Sequence, residues 1–257
     1  VAVGHNALTA NTTASNNVAV GSGSLAANTT GATSVAVGNG ALAANTTASN
    51  NVAVGSAALA TSTTATDNTA IGYQALNANT SGADNVALGT EAGHDITTGS
   101  RNTILGSKAA DAATTTDDST LIGYNAGGSA IMTGHDNTAV GANTLGATTS
   151  GNSNTAVGKN SGTSITTGSY NTLLGFQAGD ALTTGNSNVA VGYNALSAED
   201  GDGSNIAIGA NSLGNQNAGA TAYNVAVGHD AGASVTVGIK NVLLGGLAGD
   251  ALTDADS

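Results

Sequence analysis

A short apolar phrase, in its plainest form Asn17-Val18-Ala19-Val20-Gly21, returns along the whole chain. Its glycine falls at Gly4, Gly21, Gly38, Gly55, Gly72, Gly89, Gly106, Gly123, Gly141, Gly158, Gly175, Gly192, Gly209, Gly228 and Gly245, a step of 17 residues apart from one of 18 and one of 19. The residue before each glycine is Val, Ile or Leu in all fifteen phrases, and the residue two earlier is Val, Ile or Thr. Branched residues two apart share one face of a strand, so each phrase predicts one short strand, and a column this strict predicts a buried position. The residue between them is Ala in eleven phrases and Ile104, Leu121, Leu173 or Leu243 in the others. It faces the opposite way and is never polar. Helix is disfavoured, because Gly, Asn and branched residues fill the units and no helical apolar stripe exists.

Seventeen residues are too few for a strand, a helix and two connections, but they suffice for two short strands and two turns. The pattern therefore predicts an all-β chain, a β-solenoid of about fifteen 17-residue coils whose strands stack in parallel about 4.8 Å apart. Residues 1–257 read as one continuous repeat domain, a piece of a longer fibre. A second strand is expected around the small residue three after the glycine. The position after that is Leu in many coils (Leu8, Leu25, Leu42, Leu59, Leu76, Leu145, Leu196, Leu213). Coils with Gly there usually supply an apolar residue three places on (Ile96, Ile165, Leu182, Val235, Leu252). One bulky group per coil implies constant core volume in a narrow roll.

Four residues before the glycine stands Asn in twelve of fourteen coils, with Ser34 and Ser119 in the other two. Asn side chains at strand spacing donate and accept along a column. The repeat glycine marks a bend or a close backbone approach. The longer coils, with Gly127-Gly128-Ser129 and Asn215-Gln216-Asn217-Ala218, read as widened turns. A strand apolar on both faces is buried on both. One face fills the roll, and the other is expected to pack against another copy of the chain, with Ala allowing close approach. That predicts an obligate homo-oligomer, and threefold closure is the expected symmetry.

Composition narrows the function classes. With 38 Gly, one Phe and neither Trp nor Pro in 257 residues, the chain lacks the bulk of an ordinary enzyme core. Four basic residues against sixteen acidic ones give a formal charge of -12, which repels nucleic acid. No apolar run reaches the length needed to cross a bilayer. There is no Cys, so disulfides say nothing of the compartment.

The phrases Asn17 to Gly21, Asn68-Thr69-Ala70-Ile71-Gly72-Tyr73-Gln74-Ala75-Leu76 and Ser204-Asn205-Ile206-Ala207-Ile208-Gly209 carry a family resemblance. Each has a small residue at a fixed later place. The chain resembles the YadA-like head repeats of trimeric autotransporter adhesins. The form with Gly72-Tyr73-Gln74-Ala75-Leu76 and the Asn28-Thr29-Thr30 turn is similar to repeats of phage tail-fibre proteins. The resemblance spans all fifteen coils. It implies a left-handed parallel β-roll, a homotrimer, and an extracellular place on a bacterial surface or virion fibre, where it mediates attachment. The 17-residue period is longer than the repeats usual in those heads, and no coiled-coil stalk or membrane anchor is expected within residues 1–257.

Chemistry is sparse. The four His residues (His5, His94, His135, His229) lack metal-ligand spacing, and no nucleophile, base and acid can be grouped. The expectation is no enzyme, no metal and no cofactor. Glu199-Asp200-Gly201-Asp202 is the densest acidic loop, but it lacks the calcium-loop patterns and reads as a solvated turn. Two surface columns remain. Directly after the repeat glycine lie Tyr73, Tyr124, Phe176 and Tyr193, four of the six aromatic residues. Aromatic faces suit a surface glycan or protein receptor, or simply pack over a neighbouring turn or subunit. Eight residues after the glycine stands Thr in twelve of fifteen coils. Such a rank either orders water, as in an ice-binding solenoid, or stabilises the parallel stack. A self-assembling extracellular filament is a further alternative, since open terminal coils invite edge pairing.

Overall fold

In the computed structural model, residues 1–201, 203–219 and 221–254 are described. They form two compact units, Val1–Thr133 and Gly134–Ser257. Unit 1 carries β1 (Ala2–Val3), β2 (Val18–Val20), β3 (Val35–Val37), β4 (Val52–Val54), β5 (Thr69–Ile71), β6 (Val86–Leu88), β7 (Thr103–Leu105) and β8 (Thr120–Ile122). Unit 2 carries β9 (Thr138–Val140), β10 (Thr155–Val157), β11 (Thr172–Leu174), β12 (Val189–Val191), β13 (Ile206–Ile208), β14 (Val225–Val227) and β15 (Val242–Leu244). Each unit is a parallel β-solenoid with one strand per coil, and no helix occurs among the described residues. Neighbouring strands pair in parallel with no slip, so Val18, Ala19 and Val20 lie opposite Val35, Ala36 and Val37.

The strand faces are the reverse of the sequence expectation. The middle residue is the buried one: Ala19, Ala36, Ala53, Ile104 and Leu173 are fully enclosed. The residues flanking it lie on the outside, and several are plainly exposed, among them Leu88, Leu105, Leu174 and Ile208. The cause is volume. The inside of the coil is already filled by Leu25, Leu42, Leu59 or their equivalents, all fully buried, so the strand can present only a methyl there. Close approach through Ala serves the interior, and the larger aliphatic side chains face outward.

The interior follows a stricter rule than one bulky group per coil. A Cβ added to Gly162 would come within 2.8 Å of Leu173 Cδ1, and one added to Gly179 within 2.8 Å of Leu173 Cδ2. Leu243 stands in the same way against Gly232 and Gly249, and Ile104 against Gly93. A large middle residue thus sits where the position four after the glycine is Gly or Ala, both in its own coil and in the coil before (Ala110 completes the pair for Ile104 and Leu121). Ile96, Ile165, Leu182 and Val235 fill the space that remains.

The expected second strand is not formed. The stretch after each glycine is a run of turns, because the residues two and four places on are left-handed, as at Ala57 (φ 57) and Leu59 (φ 49). Stacking bonds persist through it: Leu25 N–H donates to the Ala41 carbonyl at 3.0 Å and Ala27 N–H to the Ala43 carbonyl at 3.1 Å. A left-handed leucine costs about 1–2 kcal/mol, and its full burial offsets that.

The Asn column behaves as a ladder. Asn51 Oδ1 accepts from the Asn68 N–H at 2.9 Å, while Asn51 Nδ2 donates to the Ala65 carbonyl at 2.7 Å. Ser34 keeps the ladder open, since its Oγ accepts from the Asn51 N–H at 3.2 Å. The repeat glycines from Gly4 to Gly106 and from Gly141 to Gly228 approach the next coil too closely for a side chain, since a Cβ added at Gly55 would run into the Gly72 carbonyl.

Candidate binding surface

Each coil offers the same outer strip to solvent: the two residues flanking the buried middle of the strand, and the turn residues at either end of it. Along the strand rows the strip is aliphatic or Thr, and it is half-buried to exposed in both units. At its edge lie the four aromatic residues read from the sequence. All are exposed, at 51% for Tyr73, 58% for Tyr124, 40% for Phe176 and 52% for Tyr193. Only one pair meets: Phe176 and Tyr193, on successive coils of unit 2, stack with ring centroids 5.8 Å apart and planes 12° from parallel. Tyr73 and Tyr124 are kept apart in unit 1, because Thr90 and Ser107 occupy the column on the two coils between them.

Two aromatic residues were missed. Tyr170 and Tyr223, both exposed, stand five residues before a repeat glycine, at the other end of the outer strip in unit 2. The signal was available, since they share one column of the repeat. In unit 1 that column is charged instead, with Asp67, Asp84, Arg101 and Asp118 in consecutive coils. Arg101 grips Asp118 with Nε at 2.6 Å from Oδ1 and Nη2 at 2.7 Å from Oδ2. That paired hydrogen bond, with the Asp118 charge, raises the guanidinium pKa. Lys108 Nζ stands 3.2 Å from Glu91 Oε2, and that contact raises the ammonium pKa.

The Thr column is exposed to half-buried and internally bonded. Thr12 Oγ1 donates to the Thr29 carbonyl at 2.9 Å, Thr29 to Thr46 at 3.0 Å and Thr149 to Thr166 at 3.0 Å. These hydroxyl hydrogens are committed to the stack. Asn28-Thr29-Thr30 also matches a glycosylation acceptor, yet Asn28 is fully buried and its Nδ2 donates to the Gly31 carbonyl at 2.9 Å.

Acid and base groups are scattered. His94 Nδ1 pairs with Asp95 at 2.7 Å, and His229 Nδ1 with Asp230 at 2.9 Å. Among the described residues no three His, Cys, Asp or Glu side chains gather where they could hold a metal ion. In the acidic loop Glu199 is buried and Asp200 is exposed, with the Asp200 carbonyl accepting from Thr183 Oγ1 at 2.7 Å. Asp202 lies outside the described residues. Burial raises the pKa of Asp111 and of Asp180 above the ordinary carboxylate value. No helix among the described residues is long and apolar enough to cross a membrane.

Comparison with family models, with curated proteins and with solved structures finds no match for this chain.

Proposed function

We propose that the chain is the repeat portion of a homotrimeric surface fibre, a left-handed β-roll of the YadA-like head or tail-fibre kind. Its work is adhesive and mechanical, outside a bacterial cell or on a virion, with no catalytic role, no cofactor and no nucleic-acid partner. The observation that carries this reading is the outer strand strip. Leu88, Leu105, Leu174, Ile206 and Ile208 stand exposed in a chain of formal charge -12. Aliphatic side chains repeated coil after coil on one face of each unit form a seam that water penalises, and such a seam marks an interface. Three copies laid side by side close on themselves, bury the strips of each unit and leave the turn edges free for a receptor.

The aromatic residues at the edge of the strip supply the receptor-facing chemistry, with Phe176 and Tyr193 as its centre. The Thr rank serves the stack, because its hydroxyl hydrogens go to carbonyls of the next coil, and this weighs against the ice-binding alternative. The test is retention of the labelled chain on arrays of immobilised glycans and host-surface proteins. Binding that falls in Phe176→Ala and Tyr193→Ala supports adhesion. Absence of retention on every array, together with thermal hysteresis in a freezing assay, overturns it.

A further inference from the structure

Unit 2 contains the longest coil, the nineteen-residue step from Gly209 to Gly228. In most regular coils the backbone N–H six residues after the repeat glycine donates to a carbonyl one coil on. Examples are Ala147 to Thr163 at 3.0 Å and Ala198 to Gly214 at 3.1 Å. At Asn215 this bond comes from the side chain, whose Nδ2 donates to the Ala233 carbonyl at 2.7 Å. The stack resumes at Asn217, whose N–H donates to the Thr236 carbonyl at 2.7 Å, so the two extra residues fall after it. Beside Asn215 a groove of about 280 Å³ opens.

The lining of the groove is polar and ordered. Asn194, Asn211 and Asp230 occupy the same place in three successive coils, all left-handed (φ 50, 55 and 54), and Asn215 closes one side. Gly214 and Ala233 add no bulk. Asp230 is held from two directions: its Oδ1 accepts from Asn211 Nδ2 at 2.8 Å, and its Oδ2 lies 2.9 Å from His229 Nδ1. One residue before Asn194 is Tyr193, whose ring is stacked on Phe176.

We propose that this groove is a binding subsite for a neutral pyranose sugar. Each Asn amide offers a donor and an acceptor side by side, which matches adjacent sugar hydroxyls, and the fixed carboxylate accepts a strong hydrogen bond from one of them. Tyr193 directly precedes the groove residue Asn194, and its exposed ring provides an apolar surface for the C–H face of the pyranose. Asp230 and the overall charge of -12 repel sialic acid, uronic acids and phosphorylated sugars. Ligand pockets run from roughly 300 to 1,000 Å³, so this groove holds one ring and leaves the rest of a glycan in solvent. The inference deepens the adhesive reading and rests on it, by naming the receptor class.

The experiment is saturation-transfer NMR on the full chain with the methyl glycosides of glucose, galactose, mannose and N-acetylglucosamine, and with that of sialic acid. The expected result is transfer to at least one neutral glycoside and none to sialic acid. Asp230→Asn, which keeps shape and removes charge, weakens that binding about tenfold, and Asn211→Ala does the same. Asp95→Asn, which removes an exposed carboxylate beside His94 in unit 1, leaves it unchanged. Silence with every neutral glycoside, a stronger signal from sialic acid, or binding untouched in both groove variants overturns the proposal. The assembled mass, measured on the same sample, separates the two readings. A trimer without sugar binding removes the groove alone, and sugar binding by a monomer removes the trimeric fibre and keeps the groove.

Discussion

The coil that closes on Leu59 and the coil that closes on Leu173 enclose similar space by different routes. In the first, Leu59 enters from the turn and the strand contributes only Ala53, with Ser62 filling the corner. In the second, Leu173 enters from the strand, Gly179 gives way to it, and Leu182 fills the corner. What the repeat holds constant is therefore volume summed over two adjoining coils, and no single position is indispensable. This also explains why the interior never needs the larger residues that flank the strand. They are free to face outward, where they form the seam assigned to assembly.

Four experiments probe that contrast, the strongest first. A carboxylate placed inside, as in Ala53→Asp, has no partner in the closed interior and should cost upwards of about 3 kcal/mol or prevent folding, as read by urea denaturation. The same change outside, Val54→Asp, should leave the fold of a single chain nearly intact. Next, Leu173→Ala should lose about 2–5 kcal/mol. Adding Gly162→Leu and Gly179→Leu together with Ile165→Asn and Leu182→Asn should recover much of that loss, because all four positions would then take the residues found there in coils with a middle Ala. If that combined variant is less stable than Leu173→Ala alone, the two coil types are not interchangeable.

A smaller effect separates Leu59→Gly from Leu59→Ala. Both empty the interior, but glycine relieves the left-handed backbone at φ 49, so it should be the milder change by about 1 kcal/mol, the reverse of the usual order. The least effect concerns Asp180. Its carboxyl is partly buried, and that burial raises its folded pKa although its Oδ2 accepts from Gln177 Nε2 at 3.1 Å. A carboxyl with a raised folded pKa favours the native state at low pH, and that advantage is lost as pH rises through the folded value. Asp180→Asn should therefore raise the melting temperature slightly at neutral pH. It should also flatten the loss of stability as pH rises above the ordinary carboxylate range, about 4, as read by thermal scans at a series of pH values.

The periodicity carried most of the fold. Each of the fifteen phrases became a strand at the residues read from the pattern, and Asn51, Asn68 and their equivalents became the ladder. The inward face was not legible, because alternation places neighbouring residues on opposite sides without saying which side is enclosed. With both sides apolar, the decision lies in the volume supplied by residues such as Leu59, outside the phrase itself. The absent second strand was hidden for another reason: nothing in Ala57 or Leu59 announces a left-handed backbone, which tertiary packing imposes. The aromatic column was visible, but the stack of Phe176 on Tyr193 depends on adjacency that Tyr73 and Tyr124 lack. The groove was half visible, since the insertion near Asn215 was read as a wider turn without its side-chain bond to Ala233.

The outer seam is the claim on which the functional account stands, and the assembled mass in solution tests it most directly. Sedimentation equilibrium over a range of concentrations should give three chains per particle for the native sequence and single folded chains for the Leu174→Lys, Ile208→Lys double variant. A native chain that sediments as a monomer, with Leu174 and Ile208 left in water, would contradict the account.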